Sequence, residues 1–205
     1  MIALIDYGAG NVRSVHKALV TVGADVAVTQ DPAAVLAADK VVLPGVGAFA
    51  DCMTSLERLG LIPAIRAVAA RGTPFLGICV GMQVLFDVGE EMGEHAGLGL
   101  LPGRVVKFDF SPALGLKVPH TGWNQVTPTQ ATSLLNGLPD SAWVYFNHGY
   151  YCQARSEHTL ATTDYGGPYP CIVGRANVIG IQFHPEKSQA AGLQILKNWV
   201  MSKEK

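Results

Sequence analysis

The sequence predicts a three-layer α/β fold, in which helices flank a mostly parallel but mixed sheet. Two observations predict it. Over about the first 90 residues, short apolar runs alternate with segments whose apolar residues recur at helical spacing, a pattern typical of parallel strands connected by helices. Beyond residue 100 the apolar runs are longer, contain more aromatic residues and are separated by Pro/Gly turns. Strands joined by short turns pair antiparallel, so this half of the chain is expected to make the sheet a mixed one.

The elements of the first half follow from apolar spacing and from chain breakers. We expect strands at residues 2–6, 25–29, 40–43 and 74–78, and helices at residues 12–22 and 61–70. Glycines follow the first strand and the second helix, and Pro44-Gly45 stops the third strand. Asp31-Pro32 predicts a further short helix, because Asp suits the N-cap and Pro suits the first helical position.

The second half consists mainly of strands. We expect them at residues 104–108, 117–127, 143–151, 173–175 and 178–183. The last two form a hairpin around Ala176-Asn177, and Ser188 is placed to cap a final amphipathic helix. Neither a disordered linker nor a repeat interrupts the chain, which favours a single domain over residues 1–205. The charged residues 203–205 are expected to be solvated.

Composition excludes several classes of function. The 205 residues include 15 Lys+Arg and 16 Asp+Glu, a formal net charge of −1, which offers no field for nucleic acid or an anionic membrane. The four cysteines have no zinc-like or disulfide-scaffold spacing. The N-terminus lacks the features of a signal peptide, and no apolar run approaches the ~20 residues of a membrane span. We therefore expect a reduced, cytoplasmic protein without a metal or other cofactor.

Cys79 lies where a buried strand meets a helical segment, between Gly77 and Gly81. The pattern G-x-C-x-G suits a nucleophile elbow, in which small neighbours allow a strained turn to expose the side chain. The N-terminus of the following helix would favour the thiolate. A buried structural cysteine is the alternative, and the local sequence leaves the two about even. We interpret the other three cysteines as structural.

A thiol nucleophile requires a base, and His184 in GIQFHPEKS is the best candidate. In extended backbone, residues i and i+2 share a face, so Glu186 can reach an imidazole nitrogen of His184. The hypothesis is a triad in which Cys79 attacks, His184 transfers protons and Glu186 orients the imidazole.

Two glycine-containing loops are candidate binding sites. The segment 43–49, LPGVGAF, follows a strand, and Gly45, Val46 and Gly47 can supply backbone N–H groups to an oxyanion. An ordinary strand-to-helix turn would also contain such glycines. The loop DYGAGN at 6–11 contains G-x-G, but Arg13 stands at the third glycine position of the dinucleotide fingerprint. We therefore expect no nucleotide cofactor.

Taken together, PGVGAF, GICVGMQ and GIQFHPEKS resemble the class I, triad-type glutamine amidotransferases, in order and over the full chain. DYGAGN, HTGWN and YFNHGYY extend the resemblance to the glutaminase subunits of imidazole glycerol phosphate synthases. The fold implied is flavodoxin-like. Gly149 is a departure, because the family more often has serine after the histidine of this last segment.

The resemblance implies a concrete activity. Cys79 would attack the side-chain amide of L-glutamine to give a γ-glutamyl thioester. The released ammonia would pass to a separate (βα)8-barrel synthase subunit that makes imidazole glycerol phosphate and aminoimidazole carboxamide ribotide in histidine biosynthesis. Gly45, Val46 and Gly47 would hold the oxyanion on a strand that reorients on activation.

The resemblance also implies binding residues. Gln83 and His148 would contact glutamine. Residues expected at the interface with the barrel are Asn11, Trp123, Asn124, Tyr145 and Lys187. Two alternatives stay open: a glutaminase subunit of an anthranilate or aminodeoxychorismate synthase, and a catalytically silent binding scaffold.

Overall fold

The computed structural model describes residues 1–110 and 112–202, so the predicted solvated ending at 203–205 lies outside the described residues. Within the described part, the strands form a nine-stranded mixed sheet and a smaller four-stranded sheet, and the helices flank the large sheet. The predicted fold class is confirmed.

The nine strands of the large sheet are β1 (Ile2–Ile5), β2 (Val26–Thr29), β3 (Lys40–Gly45), β4 (Phe75–Cys79), β8 (His120–Pro128), β9 (Ala142–His148), β11 (Thr159–Asp164), β12 (Pro168–Arg175) and β13 (Val178–Ile181). They lie side by side in the order β2-β1-β3-β4-β13-β12-β11-β8-β9. The five strands from β2 to β13 run parallel, and those from β13 to β9 are antiparallel. Gly45 at the end of β3 pairs with Cys79 at the end of β4, so both lie at the carboxyl edge where parallel sheets place their sites.

Six α-helices are described, in two groups. They are α1 (Val12–Thr21), α2 (Pro32–Ala37), α3 (Phe49–Arg58), α4 (Leu61–Ala70), α5 (Val80–Gln83) and α6 (Gln189–Met201). Helix α1 packs with α6, whereas α2 and α3 both pack with α4. Leu4, Ile5, Val42, Leu43 and Phe75 of the parallel strands are fully buried, and each such side chain contributes about 1.5–3 kcal/mol. That rigid centre supports the carboxyl edge of the sheet.

The helix ends test two predicted caps. Asp31 lies at the N-cap of α2 and accepts a hydrogen bond from the Ala33 amide at 2.9 Å, as predicted. Ser188 precedes α6, but its hydroxyl donates to the His184 carbonyl at 2.6 Å and accepts from the Tyr145 amide at 3.0 Å. Ser188 is thus the N-cap residue of α6, as predicted, but its hydroxyl binds the turn that precedes the helix and makes no side-chain cap bond to the helix.

The predicted strand at residues 143–151 was also wrong, because two strands occupy this stretch. Strand β9 ends at His148 in the large sheet, and β10 (Tyr150–Ala154) begins the small sheet after Gly149. The small sheet has the order β10-β7-β5-β6, with β5 at Phe86–Gly89, β6 at His95–Ala96 and β7 at Leu101–Lys107. Helix α3 and strands β5, β6 and β11 were not predicted.

Among residues 1–110 and 112–202, no helix has the length and apolar character needed to span a membrane.

Candidate active site

Cys79 lies at a sharp turn between strand and helix. It is the last residue of β4 and the N-cap of α5, with φ 56° and ψ −114°. A positive φ is strained for a residue with a side chain, and such strain concentrates at functional sites. The turn presents the sulfur at the carboxyl edge of the sheet, at the wall of a pocket. This is the geometry of a nucleophile elbow.

Close backbone contacts explain the glycines around the elbow. A Cβ at Gly77 would meet the carbonyl oxygen of Gly81, and a Cβ at Gly81 would meet the carbonyl oxygen of Leu43. A Cβ at Gly45 would meet the backbone nitrogen of Gly81. Only glycine therefore allows β3, β4 and α5 to pack this closely, and the packing holds the turn rigid.

The helix after Cys79 is a single turn, Val80–Gln83, and the chain enters β5 at Phe86. A helix dipole sums over aligned peptide units. This helix therefore contributes less to stabilising a thiolate than the sequence suggested. The His184 side chain interacts electrostatically with Cys79 and lines the same pocket as the sulfur.

His184 and Glu186 meet through a turn rather than along a strand. Strand β13 ends at Ile181, and Pro185–Lys187 is a 3₁₀ turn, so the expected extended backbone at 184–186 was wrong. The turn still places Glu186 Oε1 2.9 Å from His184 Nδ1, with both side chains almost completely buried. The backbone N–H of His184 donates to the Tyr145 carbonyl at 2.9 Å. Strand β9 therefore fixes the turn that supports the histidine.

The protonation of His184 follows from its two neighbours. Burial alone lowers the pKa of this imidazole, but its hydrogen bonds and charge interactions with Cys79 and Glu186 outweigh burial and raise the pKa to about 10. His184 therefore holds a proton beside the sulfur of Cys79, where it can serve as the acid of an acyl-transfer reaction.

Asn11 takes part in the same cluster. Its Nδ2 lies 3.2 Å from Glu186 Oε1, the oxygen that also contacts His184. The other carboxylate oxygen of Glu186 is buried and has no hydrogen-bond partner among the described residues. Asn11 was predicted at the subunit interface, and the structure places its side chain against the triad carboxylate.

A pocket opens in front of Cys79 and His184. It is further lined by Val46, Gly47, Val80, Gln83, Glu91, Asn147, His148, Gly149, Tyr150 and Lys187. The lining therefore includes all three predicted classes of substrate contact: the nucleophile and its base, the 45–47 loop, and the two predicted glutamine contacts. Glu91 was not predicted. One of its oxygens accepts from the Phe49 amide at the start of α3, at 2.8 Å.

Gln83 is oriented by two acceptors of the protein. Its Nε2 donates to the Tyr150 carbonyl at 3.0 Å and to Gln182 Oε1 at 3.2 Å. Both amide hydrogens are thereby used, so the group that Gln83 offers a ligand is its carbonyl oxygen. Gln182, completely buried, also places Nε2 4.0 Å from Cys79 Sγ.

His148 lines the pocket, but both ring nitrogens are occupied within the chain. Nδ1 contacts the Tyr150 carbonyl at 2.8 Å, and Nε2 contacts the Tyr169 hydroxyl at 3.0 Å. Burial lowers the pKa of His148 to about 3, so the ring is neutral at physiological pH. Its polar atoms therefore bind the protein rather than face the pocket.

The predicted oxyanion residues form the end of β3 and the loop after it. Val46 and Gly47 line the pocket beside Cys79, and Gly47 has φ 91°, which favours glycine. Gly45 is held against α5 as described above. The loop is therefore close enough to the sulfur to contribute backbone groups to a substrate bound there.

Of the predicted interface residues, Tyr145 contacts both Trp123 and Lys187, and Lys187 also lines the pocket. Trp123 on β8 is 43% exposed and packs edge-on against Tyr145 on β9, with ring centroids 6.1 Å apart. Lys187 Nζ lies 5.8 Å from the centroid of the Tyr145 ring. Asn124 differs, because its side chain points to the opposite face of β8 and donates to the Asp164 carbonyl at 2.7 Å.

The other three cysteines, Cys52, Cys152 and Cys171, are buried and free. Burial raises the pKa of Cys52 to about 12, and it also raises the pKa values of Cys152 and Cys171. They are thus protonated thiols within the core, in agreement with a structural role.

Sequence reasoning missed Glu91, Tyr169 and Gln182. Gln182 carried a signal, since it is a polar residue between apolar ones in the quoted run GIQFHPEKS. Glu91 lies in a polar turn, and Tyr169 lies in the part of β12 that precedes the predicted segment 173–175, so no sequence pattern distinguished either residue.

A cysteine, a histidine and a glutamate clustered beside a pocket are typical of triad-type glutamine amidotransferases. The comparison with family models agrees, because residues 3–203 match the model of glutamine amidotransferase class-I. The chain belongs to this family. A solved structure titled "Structure of PurLQS from Thermotoga maritima" shares the fold, with a TM-score of 0.73 and 17% identity over 96% of this chain and 95% of that one.

More specific relatives are imidazole glycerol phosphate synthase subunits HisH. The protein of this name from Desulfitobacterium hafniense is 54% identical over 200 residues, which cover 97% of this chain and 93% of the relative. The one from Salinibacter ruber is 51% identical over 203 residues, with the same shares covered.

Proposed function

We propose that this chain is the glutaminase subunit of an imidazole glycerol phosphate synthase of histidine biosynthesis, and that Cys79, His184 and Glu186 carry its chemistry. The observation that carries the proposal is the buried Cys79–His184–Glu186 arrangement at the wall of a pocket. The identity of about half of all residues with subunits named HisH supports the choice of synthase.

The first half of the reaction forms a thioester. The Cys79 thiolate adds to the side-chain amide carbon of L-glutamine, and the carbonyl electrons move onto oxygen, which backbone groups of residues 45–47 stabilise. When the intermediate collapses, the C–N bond breaks and the His184 imidazolium gives its proton to the departing nitrogen, releasing ammonia. Glu186 keeps the imidazole oriented during this transfer.

The second half releases glutamate. The neutral His184 removes a proton from water, whose oxygen attacks the thioester carbon. The C–S bond then breaks, and the thiolate and the imidazolium are restored. No cofactor takes part in either half.

Substrate binding is proposed for the two sides of the pocket. Gln83 offers its carbonyl oxygen to an N–H of glutamine. Glu91 offers a carboxylate to the α-ammonium group, because it is the acidic side chain among the residues that line the pocket. His148 is proposed to act through the Tyr150 carbonyl that it holds.

The partner is proposed to be a (βα)8-barrel subunit that receives the ammonia. The proposed docking surface consists of Trp123, Tyr145 and Lys187, in which Tyr145 contacts the other two, together with Asn11, whose side chain binds Glu186. Asn124 contributes by holding β8 to the neighbouring strand turn at Asp164. The buried cluster that joins both sheets supports one domain over residues 1–205. Four free thiols favour the reducing cytoplasm.

Ammonia release from glutamine tests the chemistry. The chain is assayed alone and with a barrel subunit of a bacterial imidazole glycerol phosphate synthase. Cys79→Ala is expected to reduce the rate in the complex by at least about 1000-fold, because the covalent route is lost. Cys52→Ala, which removes another buried thiol, is the matched control and should retain activity. Equal rates for Cys79→Ala and the parent would overturn the proposed triad.

Genetic complementation tests the acceptor. Expression of the chain in a bacterium that lacks its own glutaminase subunit of this synthase should restore growth without histidine. Rescue of only an anthranilate or aminodeoxychorismate defect would assign the chain to a different synthase.

A further inference from the structure

A buried chain of hydrogen bonds runs behind the glutamine pocket, centred on Tyr169 of β12. Its hydroxyl lies 2.8 Å from His120 Nδ1, on β8, and 3.0 Å from His148 Nε2, on β9. The three residues are at most 6% exposed. The chain therefore connects three strands of the large sheet through side chains alone.

The hydrogens in this chain have a single consistent order. The Tyr150 carbonyl can only accept, so His148 donates from Nδ1, and its neutral ring accepts at Nε2. Tyr169 must then donate to His148, which leaves its oxygen to accept from His120 Nδ1. The other nitrogen of His120 accepts from Asn124 Nδ2 at 3.4 Å. Every donor meets an acceptor.

The order continues into the substrate pocket. The Tyr150 carbonyl that His148 holds also accepts from Gln83 Nε2 at 3.0 Å. Gln83 in turn donates to Gln182 Oε1, and Gln182 Nε2 faces Cys79 Sγ at 4.0 Å. The Tyr150 carbonyl, together with Gln182 Oε1, thus sets the position of the Gln83 side-chain oxygen.

Ring packing fixes the far end of the chain. His120 is stacked between Phe146 and Tyr165, with ring centroids 4.8 and 3.9 Å away and interplanar angles of 17° and 14°. A ring held on both faces has little freedom to rotate, so His120 Nδ1 stays directed at the Tyr169 oxygen.

We propose that Tyr169 is a positioning residue for glutamine binding, since its hydroxyl fixes His148, and His148 fixes the Tyr150 carbonyl that orients Gln83. The inference rests on the proposed function and deepens it. Tyr169 touches no substrate atom, because it does not line the pocket. Its contribution is to the affinity for glutamine rather than to the bond-breaking steps.

The test compares two variants that each lose one tyrosine hydroxyl. Tyr169→Phe breaks the chain of hydrogen bonds but keeps the aromatic ring. Tyr165→Phe is the matched control, because this ring stacks on His120 while its hydroxyl binds only the Lys117 backbone among the contacts described. Steady-state glutamine hydrolysis is measured in the complex with the barrel subunit. Glutamine binding is measured by calorimetry in a Cys79→Ala background, and thermal unfolding is followed for each protein.

Tyr169→Phe is expected to raise KM and Kd for glutamine about three- to tenfold, the effect of one neutral buried hydrogen bond. The kcat at saturating glutamine should change less than about twofold, since the transition-state contacts are unchanged. Tyr165→Phe should leave KM and Kd at the parent values. A lower melting temperature with unchanged KM and Kd would show a structural role only and would overturn the inference.

A second variant keeps the inference testable if Tyr169→Phe does not fold. His120→Phe retains a stacked ring and removes the donor to Tyr169, so it should shift KM in the same direction. An unchanged KM in this variant counts against the inference. If the parent complex itself releases no ammonia, the proposed function fails, whereas an active parent with unaffected variants defeats this inference alone.

Discussion

Acid should destabilise this protein through His148, and the size of the effect follows from its burial. In the folded chain the pKa of His148 is lowered to about 3, chiefly by desolvation, and the hydrogen bond with Tyr150 opposes the shift only in part. The unfolded chain titrates at the ordinary value of about 6.5. The neutral ring therefore stabilises the fold fully above about pH 6.5.

As the pH falls below that value, the unfolded chain binds a proton that the folded chain does not. The free energy of unfolding then decreases with a slope that approaches about 1.4 kcal/mol per pH unit, which amounts to about 2.3 kcal/mol for this residue between pH 6.5 and 4.5. His120, whose pKa burial lowers to about 4, adds a similar slope over the same interval. Replacing one of these histidines should reduce the number of protons taken up on unfolding in acid by about one.

Urea unfolding followed by circular dichroism measures this slope at several pH values between about 7.5 and 4.5. His148→Gln is expected to begin less stable but to lose less stability with acid than the parent. His158→Gln, in the surface turn Ser156–His158, is the control and should keep the slope of the parent. If the curves of the parent and His148→Gln run parallel throughout, burial does not hold His148 neutral.

Three further predictions concern the elbow, the triad and a helix cap. Gly81→Ala should unfold the protein or lower its melting temperature strongly, because the new Cβ would meet the Leu43 carbonyl. In the control Gly149→Ala, the new Cβ meets only the Val118 side chain at 3.5 Å, so this variant should melt near the parent temperature. Equal melting temperatures for the two variants would contradict the close packing at Gly81. Glu186→Gln should lower kcat for glutamine at least about 100-fold, the scale of general acid–base catalysis, and parent-like kinetics would remove Glu186 from the triad. Asp31→Ala should cost about 1 kcal/mol in chemical unfolding, because the α2 cap is lost, while Asp31→Asn retains an acceptor and should cost much less.

The parallel half of the fold could be predicted because glycine, proline and N-cap residues mark the ends of most of its helices and strands. The predicted helix at 61–70 coincides with α4, and Asp31-Pro32 opens α2. Helix α3 was missed because its N-cap is Ala48, and the group that binds its first amide is Glu91, 42 residues away in sequence. Tertiary contacts of this kind leave no local pattern.

The site was predictable to the extent that chemistry requires particular residue types. Cys79, His184 and Glu186 were found together because a nucleophile needs a base and an orienting group. The backbone that joins the last two was wrong, since a 3₁₀ turn and an extended segment both allow contact between residues i and i+2. The hydrogen bonds of Tyr169 with His120 and His148 could not be predicted, because the three strands that carry these residues come together only in the folded sheet.

The break at Gly149 gives the pocket a mechanical property. His148 ends a strand of the large sheet and Tyr150 begins one of the small sheet, and both line the pocket. The two sheets have separate hydrogen-bond ladders. A small rotation of one sheet against the other would therefore widen or narrow the glutamine pocket without breaking a ladder bond in either. If the proposed partner contacts β9, the edge strand that ends at His148, a movement of this strand would change the shape of the pocket directly.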